Sequence, residues 1–168
     1  MSRTLLGRAP SKAMIFWSIV LALGLEMLPW GGWPMPSFLA LVPVFWNVYQ
    51  PRRVGIFLAW LLGLVMDVYA GSLLGQHALA YSVLSFGAIA LHRRLLWYSI
   101  SGQALQLLPL FFLAHLFVVV VNFFFTGIAP SWIYFVTPVM TAILWIPMSS
   151  AVLGRLNRPL NSTAAIGR

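Results

Sequence analysis

A shortage of charged side chains limits how this chain can fold more than any other feature. Only 7% of its 168 residues are charged and 61% are apolar, whereas an ordinary globular domain carries roughly 25% charged residues. Too little polar surface remains to cover a water-facing sphere, so most of the outside is expected to contact lipid. This balance excludes a soluble enzyme, a disordered segment and a nucleic-acid-binding domain.

Six apolar runs, separated by short connections rich in Gly and Pro, predict six transmembrane helices in an all-α fold. Spans of about 20 residues would occupy about 120 residues, which leaves roughly 50 for the connections and termini. That remainder is too short for a further domain, so residues 1–168 are predicted to form a single transmembrane domain. The predicted spans cover residues 14–28, 37–49, 54–70, 73–91, 104–125 and 132–153.

The second run is short and contains Pro43, so it is either a true span or a re-entrant segment. The basic residues favour a span. With six spans, all ten basic residues fall on one side of the membrane. Cytoplasmic loops are enriched in Lys and Arg, so both termini are predicted to be cytoplasmic. The stretch 92–103 is long enough to hold an interfacial helix. The basic clusters are Arg3, Arg8 and Lys12; Arg52 and Arg53; Arg93 and Arg94; and Arg155, Arg158 and Arg168.

Small residues recur every fourth position along the third span and lead to a carboxylate. Such a stripe allows close approach between membrane helices. We favour a packing seam that ends in a hydrogen-bonded Asp67; the alternative is a buried charge used for partner docking or ion handling. The stripe consists of Gly55, Ala59, Gly63, Asp67 and Gly71.

Other polar residues are also expected inside the membrane. His77 follows the turn from Gly71 to Gly75 and should lie at the depth of Asp67 on the next helix, within hydrogen-bonding reach. For the remaining polar residues, interhelical hydrogen bonds are the favoured explanation. These are Glu26 in the first span, and His115 and Asn122, seven residues apart, in the fifth.

No catalytic or metal-binding pattern is present in the sequence. The chain has no cysteine, so Cys-ligated metal sites are excluded. The three histidines lack metal-ligand spacing, and neither a phosphate-binding glycine loop nor a nucleophile motif occurs. We therefore expect no enzymatic activity, no metal and no cofactor.

Residues 29–98 resemble the family of the bacterial rod shape-determining protein MreD, which the chain also matches in length and span count. The strongest motif, from Gly63 to Gly75, has the form G-x-x-x-D-x-x-x-G-[ST]-x-x-G and is followed by His77. Residues 99–168 match only in hydropathy. The remaining motifs are Pro29-Trp30, Pro36, Phe45-Trp46 and Pro51-Arg52-Arg53-Val54-Gly55.

This resemblance implies a non-enzymatic scaffold of the bacterial inner membrane. It would act in the elongasome, which directs lateral peptidoglycan synthesis and maintains rod shape. The implied partners are the bitopic protein MreC and, indirectly, the MreB filament and the peptidoglycan polymerase and transpeptidase. The resemblance also implies a fold similar to that of the substrate-binding subunits of energy-coupling-factor transporters. A small-molecule-binding transporter subunit is therefore the alternative, although the first span lacks an Ala-x-x-x-Ala docking face.

Overall fold

A computed structural model describes residues 11–29, 35–128 and 131–156. Arg3, Arg8, Arg158, Arg168 and Trp30 lie outside these ranges. The described residues form six α-helices and a short 3-10 helix, with no strand, so the prediction of an all-α fold is confirmed. The helices are α1 (Lys12–Glu26), α2 (Phe38–Tyr49), α3 (Gly55–Ala70), α4 (Gln76–Leu95), α5 (Ile100–Thr126) and α6 (Val136–Leu156); the 3-10 helix, Trp132–Phe135, precedes α6.

The observed helix ends differ from the predicted ones most clearly around α4. This helix begins at Gln76 rather than at residue 73, because Gly75 has a φ of +100° and belongs to the preceding turn. At its other end α4 continues to Leu95, and α5 already begins at Ile100, where the Ser99 hydroxyl accepts a hydrogen bond from the Gly102 amide. The stretch 92–103, although long enough for an interfacial helix, therefore holds no separate helix.

The short helix α2 occupies the centre of the bundle and packs against α1, α3, α4 and α6. Every residue from Leu39 to Val48 is buried. One end of α2 lies beside Glu26 at the end of α1, and Tyr49 at the other end hydrogen-bonds Gln103 near the start of α5. The helix thus runs through the bundle in one direction and does not fold back, although its 12 residues span only about 18 Å.

The two ends of the bundle can be named by their turns. At the Gly71 end, α1, α3 and α5 finish and α2, α4 and α6 begin; at the Arg93 end, the directions are reversed. Polar contacts lie within the Arg93 half of the core. Gln103 accepts hydrogen bonds from Tyr49 (2.9 Å) and from the Trp145 indole (3.3 Å), and the Asn47 amide bonds the Ser85 hydroxyl.

The small-residue stripe of α3 is an internal contact with α4. Ala59, Gly63 and Asp67 are buried, and a Cβ atom added at Gly63 would lie 2.4 Å from the Ala78 Cα. Gly55 and Gly71 lie at the two ends of α3, with φ values of +64° and +60°. These two glycines therefore provide turns, since left-handed backbone favours glycine.

The outward faces of the helices are largely apolar. Phe57 on α3 is 74% exposed, Leu105 on α5 is 72% exposed and Ile143 on α6 is 55% exposed. Among the described helices, α5 and α6 are long and apolar enough to cross a membrane, while α2 and α3 are apolar but shorter. Exposed apolar area of this extent suits contact with lipid or with partner helices.

Candidate functional site at the Gly71 end

The Asp67 carboxylate holds the turn between α3 and α4. Its Oδ1 accepts hydrogen bonds from the His77 amide and from His77 Nδ1, both at 2.8 Å, and from the Ser72 hydroxyl at 3.0 Å. Its Oδ2 accepts a bond of 2.8 Å from the Gly75 amide. These amides belong to the first turn of α4, whose N–H groups have no partner within the helix. Asp67 therefore caps α4 from the preceding helix, and the expected bond to His77 is part of this arrangement.

Glu26, the second acidic residue, makes a similar contact at the start of α2. Its Oε2 accepts a hydrogen bond of 3.2 Å from the Leu39 amide in the first turn of α2, and its Oε1 accepts one of 3.3 Å from the Ser37 hydroxyl. Negative charge is favourable at a helix N-terminus. Both acids thus reach from the end of one helix to the start of the next.

Ser37 links four helices at this end, which the sequence motifs did not indicate. Besides its contact with Glu26 of α1, its amide donates to Thr141 Oγ1 of α6 at 2.9 Å, and its hydroxyl lies 3.4 Å from the Tyr81 hydroxyl of α4. A Ser directly before an apolar run is an N-cap signal, so Ser37 could have been found from sequence. Thr141 gives no such signal.

A cavity of about 660 Å³ opens beside this hydrogen-bonded group. It brings together four of the five polar residues predicted for the site: Glu26, His77, His115 and Asn122 line it. Asp67 does not, because its carboxylate is buried in the α3–α4 turn. The cavity volume lies within the range of about 300–1,000 Å³ found for small-molecule sites.

The polar residues that α5 contributes to the cavity are His115 and Asn122. His115 Nε2 is buried without a hydrogen-bond partner in the described part of the chain. The described residues likewise provide no hydrogen bond to the Asn122 side chain, whose backbone oxygen accepts one from Thr126. The interhelical bond expected for the Asn122 side chain is therefore not observed. The His115 ring contacts the Tyr134 backbone, but its Nε2 and the Asn122 amide remain available to a bound group.

Metal binding finds no support in the described residues, where no three His, Cys, Asp or Glu side chains come close enough to hold an ion. The ordered arrangement at the Gly71 end is instead a pair of carboxylate caps beside a cavity. Chemically, it can hold helix ends in a fixed relation and can offer hydrogen-bond acceptors to a neutral or positively charged group.

Comparison with known proteins identifies the family. A family model described as rod shape-determining protein MreD matches residues 11–153, and so extends beyond the segment 29–98 that carries the sequence motifs. The rod shape-determining protein MreD of Haemophilus influenzae is 34% identical over 111 residues, which are 62% of this chain and 66% of that protein, just under two thirds of its length. No solved structure matches. The chain belongs to the MreD family of rod shape-determining proteins.

Proposed function

We propose that this protein is a non-enzymatic scaffold of the cell-wall elongation complex in the bacterial inner membrane. It would support rod shape and lateral peptidoglycan synthesis by holding membrane partners together. The observation that carries this proposal is the family match over residues 11–153. Its supporting physical argument is that the outward faces of the described helices carry many exposed large apolar side chains, which are suited to membrane contacts.

The scaffold is proposed to be one domain that crosses the membrane six times, with both ends in the cytoplasm. The described basic residues support this orientation, because Lys12, Arg52, Arg93 and Arg155 all lie at the Arg93 end of the bundle. Exposed Arg side chains near an anionic membrane surface each contribute about 1 kcal/mol to binding. The same end would face the MreB filament.

Partner helices are proposed to dock on the outer faces of α1 and α5. The α3 stripe is unsuitable for docking because α4 already covers Gly63. The helix α1 packs on α2 and leaves Trp17 and Leu21 exposed, at 66% and 65%. On α5, Phe124 is 80% exposed. An MreC-like protein with one membrane helix is the proposed direct partner, and the peptidoglycan polymerase and transpeptidase are indirect ones.

Depletion in a rod-shaped host, combined with crosslinking, tests this proposal. A photo-crosslinking residue would be placed at Leu21 or Phe124, and at buried Leu107 as the matched control. We expect depletion to give rounded cells, and an exposed position to capture a bitopic membrane protein that Leu107 does not capture. Normal rods after depletion, or equal capture from Leu107, would contradict the scaffold.

The proposed similarity of fold to the substrate-binding subunits of energy-coupling-factor transporters rests on the family resemblance alone. The transporter function predicts different results from the same experiment. It requires an ATPase-linked partner among the crosslinked proteins, and a specific nutrient requirement rather than rounding on depletion. Recovery of that pair of results would replace the scaffold by the transporter subunit.

A further inference from the structure

The cavity at the Gly71 end has no role in a scaffold that works through its outer surface. It is enclosed by residues of α1, α2, α3, α4, α5 and α6, and its volume of about 660 Å³ exceeds the space left between well-packed helices. Packing alone would fill it with larger side chains. The residues that line it therefore indicate what it can hold.

Glu26 is the acidic residue that lines the cavity, while His77, also in its wall, is paired with Asp67. None of the described residues that line the cavity is Lys or Arg. The Glu26 carboxylate is half-buried and accepts hydrogen bonds from the Ser37 hydroxyl and the Leu39 amide, and the Phe38 amide also contacts it. A carboxylate has about four acceptor positions, so about one position remains for a further donor. A positive group that donates hydrogen bonds meets this requirement, whereas an anion would be repelled.

The rest of the cavity wall is a mixture of aromatic and uncharged polar groups. Phe111, Tyr81 and Phe125 contribute rings, and ring faces attract cations. His115 Nε2, buried and without a partner in the described chain, and the Asn122 amide add hydrogen-bonding groups on the α5 side. A buried polar atom without a partner is unfavourable, so a bound molecule that bonds His115 would relieve this deficit.

We propose that this cavity binds a small organic cation: an ammonium or guanidinium group, received by Glu26, on an apolar body that contacts the aromatic wall. The ligand is a free small molecule that enters from the Gly71 end, where the exposed residues Leu73 and Ile128 lie at the rim. This binding is independent of the scaffold function, and either can fail without the other.

Three small molecules of similar shape that differ in charge test the proposal on the full chain in lipid nanodiscs. The signal from empty nanodiscs is subtracted. The probes are 2-phenylethylammonium, 2-phenylethanol and phenylacetate, measured at neutral pH by calorimetric titration and by the shift in melting temperature. We expect the cation to bind at least tenfold more tightly than the alcohol, and phenylacetate not to bind. Equal binding of all three probes, or no binding of the cation, overturns the proposal.

Three variants locate the binding. Glu26→Gln keeps an acceptor for the Leu39 amide and should abolish the preference for the cation over the alcohol. Val119→Phe places a ring in the cavity and should abolish binding of the cation. Val120→Phe, whose side chain is 41% exposed on the outside of α5, is its matched control and should bind as the unchanged protein does. If Glu26→Gln does not fold, the comparison of the two Val variants decides; equal binding by both overturns the proposal.

Discussion

At the scale of single residues, both acidic side chains of the chain cap the start of a neighbouring helix. Asp67 accepts amide hydrogen bonds from the first turn of α4, and Glu26 accepts one from the first turn of α2. The N-terminal residues of those helices supply no side-chain cap of their own. An acid within the membrane is costly unless it is paired, and here each one satisfies backbone groups that would otherwise lack partners.

Substitutions of Asp67 separate the charge from the hydrogen bonds. Asp67→Leu should destabilise the protein by about 3–5 kcal/mol, since several buried donors of the α4 turn lose their acceptor together. Asp67→Asn keeps one oxygen acceptor and should cost about 1–3 kcal/mol. Unfolding in detergent micelles, followed by circular dichroism, measures both values.

The control for Asp67 is Tyr69→Phe on the same helix. It removes one exposed bond, from the Tyr69 hydroxyl to the Met27 carbonyl, and should cost at most about 1 kcal/mol. An Asp67→Leu variant no less stable than Tyr69→Phe would contradict the capping role. If Asp67→Asn restores cell shape and Asp67→Leu does not, the charge itself is unnecessary for function.

At the scale of helices, the closest approach is that of α3 to α4 at Gly63. Gly63→Ala would place its Cβ 2.4 Å from the Ala78 Cα, which is backbone and cannot rotate away. The helices must separate, and we expect a loss of about 1–3 kcal/mol, as for other overpacked cores. Gly24→Ala in exposed α1, where a Cβ meets nothing within 4 Å, should instead be neutral or stabilising by up to about 1 kcal/mol.

Melting temperatures of the two Ala variants in the same detergent measure this difference. A Gly63→Ala protein that melts no lower than Gly24→Ala would contradict this prediction. It would show that α3 and α4 can separate with little loss of stability.

The sequence allowed the helices to be predicted but not the direction in which each one faces. Gly, Pro and Ser mark the ends of the apolar runs, so the number of helices and most of their limits were accessible. Within α5, however, Leu107 is fully buried whereas Leu105 is 72% exposed. A helix that is apolar on all sides gives no periodic signal for its buried face. The central position of α2 was hidden for the same reason.

In the candidate site, likewise, only some of the contacts could be predicted from the sequence. The contact between Asp67 and His77 crosses one short turn, so helix geometry sufficed to predict it. The bond from Leu39 to Glu26 follows a longer connection, and the bond from Ser37 to Thr141 joins the second and last helices. Such contacts depend on how the helices pack. The cavity depends on the same packing, and no local pattern of residues predicts it.

At the scale of the whole molecule, charge is divided between the two ends of the bundle. Glu26 and Asp67 lie at the Gly71 end, while the described Lys and Arg residues lie at the Arg93 end. Positive charge is retained on the cytoplasmic side of a membrane. The capped helix starts and the cavity are therefore proposed to face the outside, and the Arg-rich turns the cytoplasm.

Labelling of single cysteines tests this orientation without changing any basic residue, because the chain has no cysteine of its own. Leu74→Cys and Ile128→Cys, at positions 70% and 73% exposed, should react with a membrane-impermeant maleimide added to spheroplasts. Ser101→Cys, exposed at the start of α5, should react only after the membrane is opened. Leu107→Cys, fully buried, is the control and should remain unlabelled in both conditions. If α2 did not cross the membrane, Leu74→Cys would be protected and Ser101→Cys labelled from outside, and the six-span topology would have to be abandoned.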